Sequence, residues 1–220
     1  MKRTDNYAIQ AAQAKLRFLT YDQQKLIAKY ALNFDDTWLY TTMLCQTYRI
    51  SRTTGDLEKL EGDGWQDANT YEEVMTLLDL LCDAKEDRSV SGNWKSLQSF
   101  GLMFHRSLLE ERRNAYADYF DANPDAFRRG CLALGGKPVQ GCDMGYGVEL
   151  FDGLPVAVQF WHGDEEFYPR LRYLWDENAL QYIRYETMHF AVGLVIQRIR
   201  RLGGESGYPH PLLSMPGVVK

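Results

Sequence analysis

Apolar residues recur along this chain with two different periods, and the switches between them map its elements. From Asp5 to about Thr20, Tyr7, Ala8, Ala11, Ala12, Phe18, Leu19 and the stem of Lys15 keep helical spacing. Thr20-Tyr21-Asp22-Gln23 has the S/T-x-x-E/Q form that satisfies free N–H groups at a helix start, and Leu26, Ile27, Tyr30 and Ala31 carry a second helix to about Asn33. Residues 37–44 and 47–51 are β-branched and aromatic, which predicts a hairpin. Arg52 to Asp67, with Gly55, Gly62, Gly64 and many charges, reads as a turn-rich surface segment. A second box, Thr70 to Glu73, opens an apolar stripe of Tyr71, Val74, Met75, Leu78, Leu81 and Cys82, so a helix is predicted over about 71–84.

A loop through Ser91-Gly92-Asn93-Trp94 leads to Ser107-Leu108-Leu109-Glu110, a third box whose helix should reach about Phe120. Asn123-Pro124 offers an N-cap and a proline at the first helical position, and Gly135-Gly136 should stop that helix. Tyr146–Phe151 and Pro155–Trp161 read as strands around an Asp152-Gly153 turn, and Leu171–Trp175 as a further short strand. From Tyr185, the residues Met188, Val192, Val195, Ile196 and Ile199 mark a long helix ending at Gly203-Gly204. Helices and strands do not alternate regularly, so the expected class is α+β, a mainly antiparallel sheet packed with helices and a long C-terminal helix. One domain is expected over 1–202, with 203–220 as a loosely ordered tail.

Composition narrows the function. With 25 Lys+Arg against 30 Asp+Glu the net charge is −5, which disfavours nucleic acid as a partner. The longest apolar run, Phe190 to Ile196, falls far short of the roughly 20 residues that span a bilayer. No apolar export segment follows Met1, so the chain is expected to be cytoplasmic, with a small molecule or another protein as partner. The four cysteines form no C-x-x-C pair, and Cys45 and Cys82 are expected to be buried, inert thiols. The aromatic content of 13% permits a ring-lined ligand pocket, although most rings should serve the core.

The most unusual stretch is Trp161-His162-Gly163-Asp164-Glu165-Glu166-Phe167, three consecutive acids after an apolar strand. Carboxylates beside an imidazole can hold a divalent cation or act as a general acid and base. The plainer alternative is a Gly163-Asp164 turn that places the acids at a helix N-terminus, where the dipole favours them. Glu186 and His189 lie three apart on the last predicted helix, so a mononuclear metal site of His162, Asp164, Glu186 and His189 is conceivable, against a hydrogen-bonded core histidine. Neither Gly135-Gly136-Lys137 nor the glycines of 141–147 have nucleotide-loop spacing, and Gly204-Glu205-Ser206-Gly207 is not a hydrolase elbow. The basic residues Arg112-Arg113, Arg128-Arg129, Arg198, Arg200 and Arg201 read as helix-end cations or solvated faces.

Leu154-Pro155 through the W-x-G-D-E-E-F segment, then Leu174-Trp175-Asp176 and Tyr185-Glu186, resemble an uncharacterised family, domain of unknown function 3786. Leu134-Gly135-Gly136, the later Asp143 and the strand pair of Leu44 to Ile50 are similar to it as well. The resemblance spans most of residues 20–200, with D-E-E-F its specific part. It carries no established activity, and it implies an anaerobic bacterial or archaeal setting. Some members carry a cysteine-rich iron–sulfur segment; this chain has none, so a cluster would be held by a partner protein. The resemblance implies a site of Asp164, Glu165 and Glu166 with Asp143 and Asp176, and Trp161 and His162 border it. The leading expectation is therefore a small-molecule or cofactor-binding accessory protein. A metal-dependent hydrolase or lyase, and a protein-interaction module docking a basic surface, are the alternatives.

Overall fold

The hairpin predicted between residues 37 and 51 is the centre of the first of two sheets in the computed structural model, which describes residues 3–100 and 114–204. In chain order the elements are α1 (Arg3–Leu19), α2 (Gln23–Tyr30), β1 (Asn33–Phe34), β2 (Trp38–Met43), β3 (Gln46–Ser51), β4 (Leu57–Glu61), β5 (Gly64–Asp67) and α3 (Tyr71–Asp83). Then follow β6 (Trp94–Ser96), α4 (Ala115–Ala122), α5 (Pro124–Ala133), β7 (Lys137–Pro138), β8 (Met144–Phe151), β9 (Leu154–Trp161), β10 (Arg170–Asp176) and α6 (Tyr185–Leu202). Two five-stranded antiparallel sheets, ordered β1-β2-β3-β4-β5 and β6-β10-β9-β8-β7, combine with these helices into an α+β fold.

Alternation assigns the faces. Leu39, Met43, Tyr48, Ile50 and Leu57 point from the first sheet into the core, as Val148, Val156, Val158, Phe160, Leu171 and Trp175 do from the second. All of them belong to one hydrophobic cluster with α3 and α6. Many of the rings serve this core as expected, Phe18, Phe120, Phe127 and Phe160 among them, with several tyrosines packed against it, but of the five tryptophans only Trp175 is buried.

Several boundaries differ from the sequence reading for local reasons. The segment 52–67 holds β4 and β5, because its charges fall on strands whose outward positions reach water. The cap of α2 is Asp22, whose carboxylate accepts from the N–H groups of Gln24 and Lys25, while Thr20 donates backward to the Arg17 carbonyl. The box at Thr70 forms as expected, with Thr70 and Glu73 hydrogen-bonded to each other. Trp94 starts the edge strand β6 instead of lying in a loop. The helix expected to run from residue 107 to about Phe120 is replaced at its end by α4, which starts at Ala115 because the extended Asn114 caps it, its side chain accepting from the N–H groups of Tyr116 and Ala117. The Ser107–Glu110 box lies outside the described residues, as does the tail beyond 204.

Cys45 is exposed, not buried. It sits with Leu44 in the two-residue β2–β3 turn, where both have φ +52°, a left-handed conformation that brings Cβ close to a carbonyl oxygen and so favours glycine. The turn is held from outside: Leu44 N–H donates to the Leu150 carbonyl of β8, and Arg198 of α6 donates to the carbonyls of Leu44 and Cys45.

Helix contacts are equally specific. A Cβ at Gly130 of α5 would lie 2.0 Å from the Ile199 carbonyl oxygen of α6, and one at Gly203 would lie 2.3 Å from that of Ala126. Further along α6, Arg200 is buried with its guanidinium 4.3 Å from the centre of the Tyr119 ring of α4. Between α1, α3 and the start of α6, Asp79 is 1% exposed and receives Arg17 at 2.8 Å and the Thr187 hydroxyl. Its neighbour Asp83, one turn on, pairs with Arg17 at 3.0 Å and Arg184 at 2.9 Å and accepts from Tyr21. Burial holds the Asp79 carboxyl above the usual carboxylate range against the pull of these donors. No helix among the described residues is long and apolar enough to cross a membrane.

Gly130→Ala should lose about 3 kcal/mol in urea unfolding, because the clash is with backbone. Gly193→Ala, in open space on α6, should gain up to about 1 kcal/mol. Burial pushes the Cys82 thiol up to about 12 and raises that of Cys131 as well, so at pH 8 neither forms appreciable thiolate. A thiol reagent should label Cys45 in the folded protein, and Cys82 and Cys131 only after unfolding, as read by peptide mass spectrometry.

Candidate functional site

β9 and β10 pair up to Trp161 and Arg170, whose guanidinium stacks 4.3 Å from the indole centre, and residues 162–169 form the loop between them. The acids therefore follow a strand but precede no helix, so the helix N-terminus expected as their plainer role is replaced by a loop that closes on itself. The Asp164 carboxylate accepts the N–H groups of Glu166 at 2.8 Å and Phe167 at 2.7 Å, and its own N–H donates to the Phe167 carbonyl. A Cβ at Gly163 would come 2.8 Å from Pro169 Cδ, so glycine is required where the chain turns back on itself. Asp164 is thus spent on loop shape. Glu165 and Glu166 are exposed, and Phe167 and Tyr168 are 68% and 69% exposed.

Two more carboxylates hold the loop from outside. Asp143 accepts the His162 backbone N–H at 2.8 Å, while its own N–H donates to the Phe160 carbonyl. Asp121, in the last turn of α4, lies 2.7 Å from His162 Nδ1 and also accepts the Gly163 N–H at 3.3 Å. The His162 ring leans edge-on against Phe160, with centres 4.9 Å apart. A carboxylate opposite Nδ1 favours the tautomer with the proton there, which leaves Nε2 as the acceptor. The side chains of His162 and Asp121 are 43% and 33% exposed, so water screens the pair and its value is orientation more than stability. Asp121 stands 41 residues from His162 in a helix, and no local pattern marks it.

The remaining candidates lie elsewhere. Asp176 is at the far end of β10, roughly 20 Å along the strand from Arg170. It is buried and accepts the N–H groups of Ser91, Gly92 and Asn178 at 2.9, 2.8 and 2.9 Å, plus the Ser91 hydroxyl at 3.2 Å. It anchors the approach to β6. Glu186 is exposed in the first turn of α6, and His189 is half-buried with its ring 5.5 Å from that of Tyr185. Among the described residues no three His, Cys, Asp or Glu side chains gather as a metal-holding group, so His162, Asp164, Glu186 and His189 are not brought together. Of the basic residues expected at helix ends, Arg129 donates to the Gly203 carbonyl, Arg201 to Glu61, and Arg128 pairs on the surface with Asp125.

The family model described as "Domain of unknown function (DUF3786)" matches residues 22–198 of the chain. No curated protein and no solved structure matches it.

Asp176→Ala strips the acceptor from four donors and should cost about 3–5 kcal/mol in urea unfolding. Glu165→Ala and Glu166→Ala should each stay within about 0.5 kcal/mol of the parent.

Proposed function

The chain belongs to the domain of unknown function 3786 family, and on the geometry of its β9–β10 loop we propose that it is a non-catalytic accessory protein of anaerobic metabolism that binds a small molecule or cofactor there. The observation that supports this is a division of labour inside the loop. Asp121, Asp143, Gly163 and Asp164 give it a fixed shape, and the residues it then offers to solvent are His162, Glu165, Glu166, Phe167 and Tyr168. Two large rings held in water on a shaped loop gain free energy when covered. Beside two free carboxylates they suit a ligand with a flat apolar body and a positive charge.

The 2.7 Å contact between Asp121 and His162 favours one other reading, a hydrolase or lyase in which Nε2 of the oriented imidazole takes a proton from water or substrate.

Protein purified without oxygen should be screened by thermal shift against aromatic and aliphatic amines. At a ligand concentration 100-fold above Kd, binding adds about 2.7 kcal/mol and visibly raises Tm. The increase should disappear in Phe167→Ala and shrink in Glu165→Gln/Glu166→Gln, while the ligand-free Tm of these variants stays near that of the parent. Variants that are themselves unstable, or shifts indifferent to all three substitutions, would remove the loop from consideration. Turnover abolished by His162→Ala and reduced by Asp121→Asn would instead establish the second reading.

A further inference from the structure

The outward face of the first sheet carries an organisation that neither the core nor the β9–β10 loop uses. Alternation and register place Trp38, Tyr40 and Thr42 of β2, Thr47, Arg49 and Ser51 of β3, and Glu58 and Leu60 of β4 on it, with Trp65 and Asp67 of β5. Thr42, Asp67 and Leu60 on this face are exposed, so it meets water. Two indoles and a phenol stand half-buried on it, so part of each ring is still open to a partner.

Those rings are fixed in place. The Arg49 guanidinium lies 4.2 Å from the Trp38 ring centre and 4.4 Å from that of Trp65, and Glu58 grips it through Nε at 2.6 Å. Tyr40 stands 6.0 Å from Trp65, and its hydroxyl donates to Asp35 at 2.7 Å. A partner docking here would find the aromatic surface already ordered, which lowers the entropy lost on binding.

Charge narrows the partner. The cation of the face, Arg49, is neutralised by Glu58. Arg52, at the strand end, is turned away to Gln23 and the Asp35 carbonyl, and Lys59 points inward to Glu73. Exposed carboxylates flank the indoles in the chain: Asp36 two residues before Trp38, Asp63 two before Trp65, and Asp67 two after it, the last also accepting from Asn69. On a chain of net charge −5 this surface repels phosphates and attracts cations. We propose that it docks a basic segment of another protein, whose Lys or Arg side chains stack on the free sides of Trp38 and Trp65 and pair with Asp36, Asp63 and Asp67. This does not depend on what the β9–β10 loop binds.

The test uses the full chain with 15N-labelled tryptophan and follows the indole N–H signals, assigned with Trp38→Phe and Trp65→Phe. An oligolysine peptide should shift the Trp38 and Trp65 signals and leave those of Trp161 and Trp175 in place. Raising the salt from 0.05 to 0.5 M should weaken the effect about tenfold. Asp36→Lys/Asp63→Lys, at exposed turn positions that leave folding intact, should weaken it at least as much. The proposal is overturned if oligolysine leaves both signals unmoved, if it moves only Trp161, if the charge reversal has no effect, or if oligoglutamate or a cello-oligosaccharide shifts them as strongly.

Discussion

A carboxyl group withdrawn from water among three helices sets the terms for the rest of this molecule. Asp79 tolerates burial only with donors at hydrogen-bonding distance, and these come from α1 through Arg17 and from α6 through Thr187. Meeting that requirement fixes how the two helices sit against α3. Once α6 is placed, Arg198 grips the β2–β3 turn and Arg201 reaches Glu61, so the first sheet takes its position from the same helix. On its other side the glycine contacts at 130 and 203 draw α5 against α6 to backbone distance. α5 continues directly from α4, which brings Asp121 to the β9–β10 loop. The orientation of His162 is therefore the far end of a mechanical chain that begins at Asp79.

The acids of the D-E-E-F segment do not act as a group. Asp164, though exposed, gives its lone pairs to the loop backbone, while Glu165 and Glu166 keep theirs for solvent. The residues joining Asp164 in holding the loop, Asp121 and Asp143, come from elsewhere in the chain. Asp176 does similar work at the opposite end of β10, gathering the Ser91-Gly92 backbone instead of a ligand. Carboxylates that accept backbone N–H groups are a recurrent device in this fold, and their number in the sequence overstates how many remain free for chemistry.

Elements whose signals are local were legible in the sequence. The α3 stripe and its Thr70 box, the Asp152-Gly153 turn and the stop of the last helix at Gly203 each depend on residues within one or two turns of one another. What escaped was decided at long range. Leu44-Cys45 lacks the usual residues of a left-handed turn, because Leu150 and Arg198 supply the restraint that glycine would otherwise make unnecessary. β4 and β5 were hidden by charges that an outward sheet face accommodates. Of the site, the strand end, the imidazole and the acids were visible as a sequence of residues. Asp121 was not, nor was the separation of Asp176 and His189 from the loop, since both are properties of the packing.

The strand order also implies a timetable. The first sheet is a meander in which each strand pairs with the next, so it can zip up from neighbouring hairpins as soon as residue 67 is available. The second sheet opens with β6 at its edge, yet among the described residues β6 pairs with β10 alone, the last strand described. On a ribosome, the Ser91–Ser96 stretch emerges long before Asp176 and Leu174 exist to receive it. Its unpaired edge and Trp94 remain uncovered while more than 70 further residues are synthesised, α4, α5 and β7 to β9 among them. The nascent chain is thus most open to mispairing with its neighbours during that interval.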